Sequence, residues 1–297
     1  MMRLLRPVTI TDAMLVSSTA PETDHAAWSA ATTYALGNRV IKASTHRIYE
    51  SVQGSNLNHD PETDTTSTWW LDVGPTNRWA MFDQAVGSQT SQATPLTVVL
   101  EPGIVAGLAL LDVEASAATV TMTSGAVAVY SATVDMIDGT ELVDWYGYFF
   151  DAIEPRDTLV LTDLPAYDDG QITVTLTAAA TARCGTLAVG PLLEIGNINY
   201  GAGIGIIDYS RKETDAFGVT TLLERSYARR AEVEVVVEAG RVNYVARALA
   251  AVRAIPCVWI GDTAYTCLIV YGFPRDWGIN INYPAYSLGR LTIEGLT

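Results

Sequence analysis

Alternating apolar and polar positions dominate the middle of this chain. TPLTVVLEPG, GLALLDVEAS, TVTMTSGAVAVYSATV and GQITVTLTAAA are rich in β-branched residues and broken by Gly, Pro and Asp about every 8–12 residues. That spacing predicts an antiparallel sandwich over 91–195. The aromatic stretch DWYGYFFDAI (144–153) is dense in β-formers, which argues against a helix and for a cap or filling of the sandwich core.

The last third mixes periods. AEVEVVVEAG (231–240) alternates, with Glu232, Glu234 and Glu238 outward, as a half-buried strand does. In RVNYVARALAAVRAI (241–255) the spacing of Val242, Val245, Leu249 and Val252 is helical, and Pro256 stops the helix. CVWIGD and YTCLIVYGF then read as a hairpin around Asp262 and Thr263, and SLGRLTIEGL as a closing strand. Without a repeated strand–helix–strand pattern, a doubly wound sheet is not expected.

The first 90 residues are different again. NRVIKAS (38–44) and RIYESV (47–52) are short strands around a turn at Thr45 and His46. SNLNHDPETDTTST (55–68) is polar, has no apolar anchor beyond Leu57, and reads as an exposed loop. The fold class that follows is mainly β: a small aromatic module with its junction at 22–90, a sandwich at 91–195 and an α+β domain with one main helix at 196–297, after an N-terminal arm at 1–21.

Composition excludes several classes. With 49% hydrophobic and 17% charged residues in 297, the chain is not of disordered type. No apolar run is long enough to cross a bilayer, and the opening MMRLLRPVTITDAMLVSS lacks the apolar core of a secretory signal. A cytoplasmic origin without an anchor is expected. The net charge of −15 disfavours nucleic acid as a partner. The charge is uneven: residues 101–196 hold 14 acidic and 2 basic residues, whereas 211–253 hold 8 basic ones. Such faces either complement those of another copy or are simply solvated. Cys184, Cys257 and Cys267 form no CxxC pair; Cys257 and Cys267 can face each other on adjacent strands, but all three are expected as buried thiols.

Catalytic chemistry finds little support. His25, His46 and His59 have no zinc-ligand spacing, and no GxSxG elbow holds a serine. Asp168 and Asp169 lie in PAYDDG, where turn chemistry, an edge Ca²⁺ site and a glycosidase pair all compete, the turn first. Gly201, Gly203 and Gly205 lack the full phosphate-loop spacing and read as a bulged or close-packed strand. No cofactor or metal is expected. The aromatics Trp28, Tyr34, Tyr49, Trp69, Trp70 and Trp79 are the one constellation with a use: exposed rings stack on sugar faces, while small modules also use Trp as core.

WSAATTYALGNRVIKASTHRIYESVQGSNLNHDPETDTTSTWW resembles the chitin-binding type of carbohydrate-binding module, through Trp28, Tyr34, Gly37, Asn38 (more often Asp in that family), Val40, Tyr49, Pro61 and Trp69. GPTNRWAMFDQAVGSQT (74–90) resembles a junction in virion proteins of tailed bacteriophages that leads into a galactose-binding-like jelly roll. CGTLAVGPLLEIGNINYGAGIGIIDYSRKETDAFG, LLERSYARR, PCVWIG and YGF continue the likeness to phage tail proteins. The resemblance implies a non-enzymatic structural component of a tail tip, baseplate or fibre-attachment region. It would be located in the virion, assembled in the host cytoplasm and present in several symmetric copies beside other tail proteins. Two roles compete. One is assembly, with Arg225, Arg229 and Arg230 inviting carboxylate partners, or forming an ordinary solvated segment. The other is host-surface attachment as an adhesin, with Trp28, Tyr34, Tyr49, Trp69 and Trp70 as sugar-binding rings.

Overall fold

The computed structural model describes residues 1–138, 145–150, 154–214, 217–218, 220–263 and 265–296. The protein is mainly β, its sheets are antiparallel, and its main helix lies near the C-terminus. No helix among the described residues is long and apolar enough to cross a membrane.

The sandwich is a jelly roll. Its eight strands are Thr90–Ala93, Leu96–Leu100, Gly107–Glu114, Ala117–Ser124, Val127–Asp135, Leu159–Leu161, Gly170–Thr177 and Thr181–Gly190. In chain order, one sheet runs first–eighth–third–sixth and the other second–seventh–fourth–fifth. That is the double Greek key which limits exposed edges. The period-2 pattern works as the sequence predicts: Ile172, Val174 and Leu176 point inward on one strand, and Ala118, Val120 and Met122 on its neighbour. Asp168 and Asp169 lie in a turn, where Asp169 accepts a hydrogen bond from Ser124 Oγ at 2.7 Å.

The aromatic stretch departs from expectation. Trp145–Phe150 is helical, and Trp145, Tyr146 and Phe149 are exposed, Trp145 at 78%. Leu, Val and Met side chains already fill the space between the sheets. Strand propensity reflects fit to a half-buried pleated surface, and here that surface is taken. Asp144 and 151–153 lie outside the described residues.

The C-terminal strands close on themselves. Met2–Leu5, Leu192–Ile198, Tyr227–Glu238, Tyr286–Gly295, Ile269–Asn280 and Cys257–Ile260 pair in that order, and the last pairs with the first. The result is a six-stranded barrel filled by Met2, Leu4, Val233, Val235, Val237, Trp259, Leu291 and Ile293. The Val242–Ala251 helix covers it with Val245 and Leu249, and Val252 beyond its end is also buried, as the spacing of 3 and 4 requires. The predicted hairpin exists, with Cys257–Ile260 against Gly272–Ile269. Outward-facing Leu5, Val258, Ile260 and Ile269 bury Ala109 and Ala188 of the sandwich, joining the two bodies through a second apolar layer. The backbones approach closely there: a Cβ on Gly190 would lie 2.0 Å from the Arg6 carbonyl.

Residues 1–21, read from the sequence as an arm, supply strands to both bodies. Met2–Leu5 completes the barrel, and Leu15–Ser18 extends the second sandwich sheet beside Leu96–Leu100. The aromatic module is an insertion. Thr76 Oγ1 donates to Glu22 at 3.0 Å and the Asn77 N–H to Asp24 at 3.1 Å, so its two ends meet.

The cysteines do not all behave alike. Cys184 and Cys257 are buried, whereas Cys267 is exposed on the short 3-10 turn Thr266–Leu268 and does not face Cys257 across a ladder. Burial, reinforced by the Asp112 charge, pushes the Cys184 thiol up to about 12, and burial pushes Cys257 to about 11. Thiolate is the reactive form. Maleimide at neutral pH is therefore expected to label native protein once, at Cys267, and denatured protein three times, read by intact mass.

Candidate functional site

Two surfaces carry the candidate residues. The first is the aromatic module. Arg39–Lys42 pairs with Arg47–Ser51, which pairs with Trp70–Pro75, making a three-stranded sheet. His46, at φ 54°, makes the tight turn between the first two strands. Tyr34, Val40, Tyr49 and Trp70 pack into one cluster, with Trp28 and Trp69 against it.

Three of the five expected sugar rings are therefore core. Trp70 is 1% exposed, meets the Tyr34 ring edge-on at 5.1 Å, and donates its indole N–H to the His59 carbonyl at 2.8 Å. The Tyr34 hydroxyl accepts from the Ser29 N–H at 2.8 Å, and Tyr49 is buried beside it. A module this small has few other residues with which to build a core. Trp28 and Trp69 reach the surface, but both are covered in part. The Lys42 ammonium sits 4.5 Å from the centre of the Trp28 ring, and His59 stacks on Trp69 at 3.7 Å with the planes 9° apart. His59 thus covers one face of the Trp69 ring.

The 55–68 loop is exposed over most of its length, as read from the sequence, and is tied down at a few points. Asn56 is fully buried and donates to Ser51 Oγ at 2.9 Å, Pro61 is buried, and Lys42 holds Asp60 at 2.7 Å. Asp64 organises the return into the last strand, accepting the N–H groups of Trp69 (2.6 Å), Trp70 (2.9 Å) and Thr68 (3.0 Å). Partial desolvation pushes its carboxyl upward, but these backbone bonds outweigh it and hold the pKa below the usual aspartate range. A carboxylate lowered by folding stabilises fully above the unfolded value and loses that contribution as pH falls through the lowered folded one. The module is therefore expected to loosen in acid, below about pH 4. Asp64→Ala should lower its melting temperature at neutral pH and flatten the acid limb of a melting-temperature profile.

At the junction with the sandwich, His46 nitrogens lie 2.7 Å from Glu22 and 2.7 Å from Asp12, and the ring stacks on Trp79 at 4.2 Å. None of these contacts is visible in residue spacing, because Asp12, Glu22 and His46 belong to three separate segments.

The second surface is a β-ribbon on the barrel. Gly203–Asp208 pairs with Tyr227–Glu232, and the ribbon continues through Arg211–Thr214 paired with Thr220–Leu223. Every residue of the two outer strands is exposed, so neither face packs on the body. Large apolar side chains line its length: Ile206 is 63% exposed and Leu222 75%, with Ile204, Tyr209, Leu223 and Tyr227 also exposed. Gly203 and Gly205 fall in the edge strand, with open space around Gly205, so close packing does not explain them.

The expected assembly arginines lie along this ribbon. Arg229 reaches Asp157 of the sandwich at 3.5 Å, and Arg230 is paired with Glu232, so both already have carboxylates within the chain. Arg225 is exposed, its N–H donating to Ser210 Oγ at 3.1 Å. The apolar ribbon, rather than the arginines, is the feature sequence spacing missed. Its only signal was the alternation in GIGIID followed by TTLL.

Among the described residues no group of three or more His, Cys, Asp or Glu side chains converges as a metal site would. Compared with protein-family models, curated proteins and solved structures, the chain has no match.

Proposed function

We propose that this chain is a structural component of a bacteriophage tail, in the tail tip, baseplate or fibre-attachment region, and that it builds the virion by binding further copies of itself. The observation that carries the reading is the ribbon of strands Gly203–Asp208, Arg211–Thr214, Thr220–Leu223 and the start of Tyr227–Glu238, on which Ile204, Ile206, Tyr209, Leu222, Leu223 and Tyr227 are exposed. A two-stranded ribbon is at best marginally stable alone in water. Large apolar side chains left exposed on an element that does not pack on the body point to an interaction site. The phage-like stretches at 74–90 and 184–230 supply the setting, and the ribbon falls within the second.

The test is direct. Antibody against the chain should decorate the tails of intact phage particles from the host that encodes it, and tryptic peptides of the chain should be found in purified particles. Labelling confined to the soluble, particle-free fraction would contradict the reading.

Host-surface attachment is the second reading, and Trp28 and Trp69 are what remain to support it. Because the ends of the module meet, joining Glu22 to Thr76 through a short linker removes it without cutting either body. Particles that assemble with the excised chain but adsorb poorly would favour the adhesin role.

A further inference from the structure

The aromatic module meets the rest of the chain mainly through one side chain. His46 sits at the turn between Arg39–Lys42 and Arg47–Ser51, and its side chain is only 20% exposed. Nδ1 lies 2.7 Å from Glu22 at the module's entry, and Nε2 lies 2.7 Å from Asp12 in the N-terminal arm. The ring stacks on Trp79, which packs against the sandwich core. The Thr76 N–H donates to the His46 carbonyl at 2.8 Å, so the turn itself is held whatever the charge of the ring.

An ionised carboxylate only accepts hydrogen bonds, and a neutral imidazole has one N–H to give. Both contacts are satisfied together only by the imidazolium. The two carboxylates are not equivalent. Glu22 is 15% exposed, also accepts from Thr76 Oγ1 at 3.0 Å, and lies 3.7 Å from the Arg78 guanidinium. Asp12 is 71% exposed. A ring that gives up one proton keeps the sheltered bond to Glu22 and turns a lone pair on Nε2 toward the Asp12 oxygen. That second contact is then repulsive, and Asp12 is free to swing into solvent.

We propose that His46 is a pH-sensitive clasp: with both nitrogens protonated it ties the aromatic module to the arm through Asp12, and on losing a proton it opens on the Asp12 side and loosens the module about its ends at Glu22 and Thr76. Because the ring must hold a proton to make the second contact, that contact is present at lower pH and is lost as pH rises through the histidine range. The clasp acts on the module whatever the module binds, and so stands apart from the assembly reading.

Other charges face the same place. Arg47 and Asp83 line the cleft beside His46, Arg47 held by Asp72 at 2.5 Å, and Arg78 lies behind Glu22. Burial raises the Asp83 carboxyl above the usual aspartate range, against hydrogen bonds from Ser88 and the Ala85 N–H. Asp83→Asn therefore belongs among the controls and should leave the pH response intact.

The test measures the distance between module and sandwich in the full chain. Spin labels are placed at Leu36→Cys on the module and Ile104→Cys on the sandwich, both exposed positions, with Cys267→Ser removing the exposed native thiol. Distances are read by pulsed electron resonance at about pH 5.5 and about pH 8.5, either side of the histidine range. The expected result is a single narrow distance at the lower pH that is lost to a broad distribution at the higher one. His46→Asn, a residue tolerated at positive φ, should be broad at both. Asp12→Asn should stay narrow at both, because its amide N–H can donate to an unprotonated Nε2. A merely structural role for Asp12 would not give that rescue. A distribution in the otherwise unmodified chain that is the same at both pH values would overturn the proposal. So would an Asp12→Asn chain that still broadens at the higher pH, or a response that disappears in Asp83→Asn.

Discussion

Replacing Ile204, Ile206 and Leu222 together by serine is expected to leave the chain folded and to abolish its self-association. All three side chains are exposed, so no core is opened and far-UV circular dichroism and melting temperature should be unchanged. Burying an aliphatic side chain of this size contributes about 1.5–3 kcal/mol. Each 1.4 kcal/mol is tenfold in affinity, so losing three weakens association by roughly a thousandfold or more. Sedimentation velocity of the variant beside the unmodified chain checks this. Arg229→Ala and Arg230→Ala should have much smaller effects on association, because both side chains are already paired within their own chain. Surface ion pairs of that kind contribute about 0–1 kcal/mol.

The second large effect belongs to Trp70. Trp70→Ala is expected to unfold the aromatic module while the jelly roll and barrel stay folded. The side chain is at the centre of a four-residue cluster and holds the loop through the His59 carbonyl. Truncating a buried Trp costs about 3–5 kcal/mol. A module of this size has little stability in excess of that. The rest of the chain has separate cores, and it meets the module mainly at His46, which lies against Asp12 and Glu22 and stacks on Trp79. Limited proteolysis should therefore cut within 27–75 and spare the remainder, and calorimetry should lose one transition and keep the other. An unchanged protease pattern would show that Trp70 is not the centre of that core.

These two cases show what residue order reveals and what it does not. Period-2 alternation in 96–177 placed the sandwich strands, because each has one face on a shared core. The helix over 242–251 was equally legible, since Val245 and Leu249 must face one side. Barrel closure was not legible. It depends on Met2–Leu5 crossing from the far end of the chain to pair with both Cys257–Ile260 and Leu192–Ile198. No local pattern encodes a partner nearly 190 residues away. The six aromatics of 28–79 left core and stacking roles open for a related reason. Trp69 stands in the bend just before the strand that Trp70 opens, and which of two adjacent rings turns inward depends on how the loop delivers the chain into that strand. The arginines of LLERSYARR were visible as charge, whereas their carboxylates on Asp157 and Glu232 are set by tertiary packing and sheet geometry.

The central claim is self-assembly through apolar surface, and the mass of the purified chain in solution tests it most directly. We would measure sedimentation velocity over a range of protein concentrations at low and high salt. The expected result is a discrete oligomer that persists, or strengthens, at high salt, since screening weakens exposed charge pairs and leaves apolar burial intact. A monomer at every concentration and salt would contradict the claim.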